Sequence, residues 1–156
     1  MRDFVILTDS AGDMPAGMVE QLGIQVVPLQ FVMGDKTYND YPDHREMSLD
    51  EFYARVQAGE MPTTNAVNIG QATEAIEPLL QEGKDVLVLA FSSGLSTTYQ
   101  SFCLAAEDLS QKYPEAKVLV VDTLCASLGE AMLVNEAAKR KAAGMTIDKV
   151  YEWAMD

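Results

Sequence analysis

Short apolar runs separated by polar joints recur along this chain. Phe4-Val5-Ile6-Leu7, Val86-Leu87-Val88-Leu89-Ala90 and Val118-Leu119-Val120-Val121 are continuous rather than alternating. Strands buried on both faces read this way. A fourth apolar region, residues 24–33, contains Pro28, which implies an edge position or a bend. Beyond the Gly34-Asp35-Lys36 turn, Thr37-Tyr38 reads as a short arm pairing back as a hairpin. Helical spacing covers residues 15–22, closed by Gly23. It returns over 49–58, behind the capping box Ser48-Leu49-Asp50-Glu51 and before Gly59. Residues 61–68 read as a loop, and Asn68 caps a helix from Ile69 in which Pro78 predicts a break or kink. Further helices are expected over 99–112, over 126–143 and from Thr146 onward. Strands alternating with helices predict an α/β domain with a mainly parallel sheet and helices on both faces.

Composition narrows the function classes. The chain has 156 residues, enough for one ordinary core, and apolar residues make up 48%. A net charge of −13 leaves no basic stripe for nucleic acid and no charge-driven docking on an anionic membrane. Cys103 and Cys125 form neither a disulfide framework nor a metal-ligand spacing. Met1-Arg2-Asp3 leads straight into a strand, and no apolar run is long enough for a bilayer. The expectation is a soluble cytoplasmic protein without direct membrane insertion.

Three strands end in hydroxyl-rich or acidic tips: Thr8-Asp9-Ser10, the turn Ser92-Ser93-Gly94-Leu95-Ser96-Thr97, and Asp122-Thr123. In an open parallel sheet, ligands collect outside the carboxyl ends of strands. The tips and the Thr63-Thr64 loop therefore form a candidate crevice. The turn also precedes a helix, whose free N–H groups and dipole favour an anion. Gly94 lets the backbone turn and a ligand approach. The same residues serve equally as helix caps and turn formers, with Ser92 or Ser96 as a plain cap, and both readings stand. Metal binding by Asp9 with Asp122 rests on position alone, and no metal or cofactor is expected. The other carboxylates read as a solvated acidic face.

Nucleophilic catalysis finds little support. His44 is the single histidine and lies in the polar Asp43-His44-Arg45 segment, read as solvated. A serine nucleophile at Ser96 or Ser10 needs a base within reach. Gly94-Leu95-Ser96 is not a Gly-x-Ser-x-Gly elbow, since Thr98 fills the last place. There is no Gly-x-Gly-x-x-Gly or Walker A loop either. A small acyl hydrolase and a phosphate- or sugar-binding module are readings that these residues leave open.

Thr8-Asp9-Ser10, Pro62-Thr63-Thr64, the turn with Thr98-Tyr99-Gln100-Ser101, and Asp122-Thr123 with Ala126-Ser127-Leu128-Gly129 occur in order along the chain. In this the sequence resembles the N-terminal domain of the DegV family, the fatty-acid-binding subunits of bacterial fatty acid kinase. The resemblance implies a non-catalytic carrier that encloses a long-chain fatty acid and presents it to a separate kinase subunit. It assigns Thr64 and Ser96 as carboxylate ligands. Thr63, Ser93, Gly94, Thr97, Thr8, Asp9, Ser10 and Asp122 are the supporting crevice. Nine methionines would suit an adaptable apolar tunnel.

Three positions depart from the family pattern. Asn65-Ala66-Val67 stands where Ser-Gln-Pro is usual, Thr97 replaces a glycine, and Ala131 replaces another. The resemblance also implies a second domain. Residues 1–145 are read as the N-terminal domain, and 146–156 as the start of a helix leading out of it. That helix ends on Trp153-Ala154-Met155 with nothing after it, so the chain reads as cut before its natural end.

Overall fold

A computed structural model describes residues 2–156, so Met1, in the expected opening Met1-Arg2-Asp3, lies outside the described residues. Four strands form a parallel sheet: β1 (Phe4–Asp9), β2 (Gln25–Val27), β6 (Asp85–Ala90) and β7 (Val118–Asp122), in the order β2-β1-β6-β7. Successive side chains alternate between faces. Val5, Leu7, Val86 and Val88 accordingly enter one core, against α3 (Ile69–Gln81) and α4 (Thr98–Lys112). Phe4, Ile6, Leu87 and Leu89 enter the other, against α1 (Ala16–Leu22), α5 (Leu128–Ala142) and α6 (Ile147–Met155). The expected parallel sheet with helices on both faces is therefore present.

Pro28 marks the bend that separates β2, on the edge of this sheet, from β3 (Gln30–Met33). β3 belongs to a second, antiparallel sheet in the order β4-β3-β5, with β4 (Lys36–Asn39) as the expected hairpin arm. β5 (Thr63–Asn65) corrects the reading of 61–68 as a loop. All three of its residues are exposed and polar, so no apolar pattern announces it; only ladder hydrogen bonds to β3 define it. Phe31, Met33, Tyr38 and Met47 pack this sheet against Phe52 and Val56 of α2 (Leu49–Gln57).

Two helix expectations need correcting. α3 runs through Pro78 to Gln81. The carbonyl that Pro78 deprives of a partner belongs to Glu74, and both residues are exposed, while buried Leu79 and Leu80 hold the last turn in place. α5 starts at Leu128 rather than Ala126, because Ser127 has φ 50° and ψ −129°, outside the helical region. α6 begins, as expected, after Thr146 and packs on the same unit. Ile147 and Val150 are buried in the second core, and the Arg140 guanidinium stacks 3.8 Å from the Trp153 ring centroid.

Candidate functional site

The strand order changes direction between β1 and β6, the position where open α/β sheets bind ligands. The turns leaving β1, β6 and β7 are tied together there by buried and half-buried polar groups. Asp9 is 1% exposed; its Oδ1 accepts the Ala11 N–H at 3.1 Å and its Oδ2 the Phe91 N–H at 2.8 Å. Asp122 Oδ1 accepts the N–H groups of Ser93 and Leu124, both at 3.1 Å. Partial burial pushes the Asp122 carboxyl up, but its bonds with Ser93 and Leu124 prevail and hold it below the usual range. Thr123 donates its hydroxyl to the Ala90 carbonyl at 2.8 Å, and the Ser92 N–H reaches the Cys125 carbonyl. Two carboxylates and one threonine thus fasten the Phe91–Thr97 turn to its neighbours.

Within that turn, Ser92 folds the backbone on itself: its Oγ accepts the Gly94 N–H, and its carbonyl accepts those of Leu95 and Ser96. Thr97 occupies the cap position of α4 without capping it through its side chain. Among the described residues, the N–H groups of Thr97, Tyr99 and Gln100 have no hydrogen-bond acceptor. Ser92 does not cap this helix end, and Ser96 caps it only at its first N–H. Ser96 Oγ accepts the Thr98 N–H at 3.2 Å and lies 2.9 Å from Thr98 Oγ1. Thr98 Oγ1 in turn accepts the Val67 N–H at 3.2 Å. With Thr98 donating to Ser96, the Ser96 proton is free to meet an outside acceptor.

Thr98 is the residue that sequence reasoning left out of the site. It is 0% exposed, and it connects the Ser96 turn to the segment following Thr64. Val67 lies three residues beyond Thr64, which faces Phe31 across the β3–β5 ladder. Thr98→Val, an isosteric change, removes the acceptor of a buried N–H and one partner of Ser96. We expect a loss of about 1–3 kcal/mol in unfolding free energy by chemical denaturation. Loss of amide-exchange protection confined to 65–68 and 92–98 would confirm the coupling; unchanged protection there would refute it.

The other sequence-predicted residues fall into two groups. Thr63, Thr64, Ser93, Gly94 and Thr97 are exposed, and Ser96 is half-buried. Thr8, Asp9 and Ser10 are buried, and Ser10 lines a cavity whose walls do not include Ser96 or Thr64. Thr8 bonds the Leu89 carbonyl, and Ser10 Oγ accepts the Leu29 N–H, so these residues act from beneath. Gly94 has no positive φ, so backbone strain is not its reason; one face of it is open apart from Ser92 Oγ, 3.5 Å from where a Cβ would lie. Gly129 is the tighter position: a Cβ there would lie 3.2 Å from the Cys125 Cβ.

His44 lines a cavity of about 520 Å³ together with Ser10, Asp40 and Tyr53, closer to a strand tip than its sequence position suggests. Its Nδ1 stands 4.0 Å from Asp40, and no hydrogen bond joins it to Ser10 or Ser96 among the described residues. Ser96 and Thr64 are not in the walls of this cavity. Leu95 is exposed in the same turn as Ser96, and Leu124 and Leu128 are exposed at the adjoining β7–α5 turn, which Asp122 ties to Ser93.

Residues 3–156 match the family described as uncharacterised protein, DegV family. The chain belongs to the DegV family. A DegV domain-containing protein of Clostridium perfringens (strain 13 / Type A) is 42% identical over 153 residues, covering 98% of this chain and 52% of that protein. Among solved structures, a fatty-acid-binding DegV family protein from Thermus thermophilus is similar with a TM-score of 0.84 and 32% identity. That match covers 99% of this chain and 52% of the other. A Thermotoga maritima protein described as revealing fatty acid binding function gives 0.85 and 31%, covering 99% and 54%. The chain spans about half the length of the DegV relatives it matches. No helix among the described residues is long and apolar enough to cross a membrane.

Proposed function

We propose that this chain is the carboxylate-holding half of a fatty-acid-binding DegV protein. A long-chain fatty acid places its carboxylate on Ser96, Thr64 and the open N–H groups of α4. The single observation that carries the reading is the start of α4, where the N–H groups of Thr97, Tyr99 and Gln100 have no acceptor among the described residues, beside the half-buried Ser96 hydroxyl. Such an end binds an anion without an arginine. The fatty-acid-binding relatives from Thermus and Thermotoga support the ligand class.

Magnitudes divide the work between the two ends of the ligand. The helix end contributes about 0.3–2 kcal/mol. Each buried methylene gives about 0.8 kcal/mol, so a long acyl chain contributes on the order of 10 kcal/mol before association costs. The acyl chain supplies affinity, and Ser96 and Thr64 fix its direction. Leu95, Leu124 and Leu128 are exposed where an apolar chain or a covering domain would lie. In this reading the remaining length of the DegV relatives covers that face, the protein itself is not an enzyme, and the bound acid is presented in the cytoplasm to a separate fatty acid kinase subunit.

Native mass spectrometry of the purified protein tests the assignment, in this chain and in a form extended to the length of its relatives. A fatty acid adduct is expected in the extended form, reduced at least tenfold in Ser96→Ala and in Thr64→Val. An extended form that carries no fatty acid would overturn the proposal.

A further inference from the structure

Glu130, in the first turn of α5, is 0% exposed. Its Oε1 lies 3.0 Å from Thr8 Oγ1, and its Oε2 is buried with no hydrogen-bond partner. Thr8 Oγ1 also lies 2.8 Å from the Leu89 carbonyl oxygen, which can only accept. A hydroxyl has one proton. If Thr8 gives it to Leu89, the contact with Glu130 needs a proton from Glu130. If Thr8 gives it to Glu130 instead, a buried carboxylate retains a single donor, and its second oxygen has none.

Among the described residues, no salt bridge reaches Glu130. The charges that act on Glu130 are those of Asp9, next to its partner Thr8 on β1, and of Asp13, beyond the 3₁₀ turn Ser10–Gly12. Both are acidic. The residues that β1, β6, α1 and α6 pack around α5 are Ile6, Leu87, Leu89, Met18, Val19, Ile147 and Val150, with the Tyr151 phenol as the titratable group among them. Burial pushes the Asp9 carboxyl up, but its two backbone N–H groups oppose that and hold it at about 6, well below Glu130. Between the two acids, Glu130 is the one that keeps the proton.

We propose that Glu130 carries a proton in the folded protein and acts through Asp9 as a positioning residue for the Phe91–Thr97 turn. The neutral acid has one proton to give, to Thr8 or to Asp9, and in either case it adds no second charge beside Asp9, which stays ionised to grip the Phe91 N–H. Ionisation would set two carboxylates against each other without a cation, and the nearest relief is to move Asp9 off that turn. Burial first, and the Asp9 charge second, push the Glu130 acid up to about 9, in agreement with the geometry. The proposal concerns the protein without ligand and stands whether or not a fatty acid binds.

The sign follows from proton counting. A glutamate that releases its proton near 4.5 when unfolded and near 9 when folded makes the native state bind more protons between those values. Stability therefore falls as pH rises through that window, by roughly tenfold in the folding equilibrium constant per unit. Glu130→Gln keeps the shape and supplies an N–H donor, so its unfolding midpoint should lose this component of the slope between pH 5 and 9. Two measurements keep the test decisive if that variant folds poorly. Infrared spectra of wild-type protein carrying ¹³C-labelled glutamate should show a protonated carboxyl band at pH 7 that disappears on alkaline titration. In NMR spectra, the Phe91 amide should shift with the same midpoint, and should not do so in Glu130→Gln. A carboxylate-only infrared spectrum at pH 7, or a Phe91 amide that does not move with pH, would overturn the proposal.

Discussion

Phe102→Ala is expected to lower the unfolding free energy by about 3–5 kcal/mol. The ring is 0% exposed and sits in the core between α3, α4 and the sheet. Interiors are close-packed, so the lost contacts are not recovered by collapse around the site. In a domain of this size each kcal/mol moves the thermal midpoint by about 2–4 °C, giving a drop of roughly 6–20 °C. The functional consequence comes from position. Phe102 lies one turn beyond Thr98, and both are buried on the side of α4 that faces the sheet. Truncation loosens the helix end that holds Ser96. A thermal midpoint within 2 °C of wild type (less than about 1 kcal/mol) would show that the site collapses or fills, contrary to the packing argument.

Asp9→Asn should cost nearly as much while changing almost no volume. Each carboxylate oxygen accepts its own backbone N–H, one from Ala11 and one from Phe91. An asparagine has one acceptor oxygen and one NH2, so one of the two N–H groups must face another donor. Losing a charge-assisted bond and stranding a buried donor together amount to about 2–4 kcal/mol. If the Ala11 bond survives, the Phe91–Thr97 turn is released and anion binding at α4 weakens. Urea denaturation gives the stability, and amide exchange at Phe91 identifies which bond was lost. Protection at both Ala11 and Phe91 in the variant would refute the clasp.

Much of this was readable from residue types. Continuous apolar runs give the parallel strands because both faces of that sheet are covered. The Asn68 cap is a local signal, and the helix obeys it with a full box to Gln71. β5 was not readable, since Thr63, Thr64 and Asn65 are exposed on every side and owe their strand to pairing alone. Glu130 was misread with the other acids as part of a solvated face. The signal was there: Glu130, Val134, Ala137 and Ala138 share helical spacing, and a carboxyl on an apolar stripe is a buried one. Thr98 eluded the sequence for a different reason. Its hydroxyl matters through Val67, 31 residues away, and no local pattern encodes that contact.

Strands apolar on both faces raise a problem of alignment that the buried aspartates answer. Where one face meets water, sliding a strand by one residue buries polar groups and is penalised. In β1 and β6 such a slip would exchange one apolar face for another at little cost in hydrophobicity. Polar contacts at the two ends resist it. Asp9 meets the Phe91 N–H at one end of the β1–β6 pair, and Asp85 accepts the Lys117 N–H at the opposite end of β6–β7. One residue of slippage is a displacement of about 3.3 Å, enough to break either contact and leave a buried carboxylate unpaired. Asp9, which holds the site turn in the finished fold, therefore also rejects misaligned sheets while the chain is still folding, and Asp85 does so from the other end.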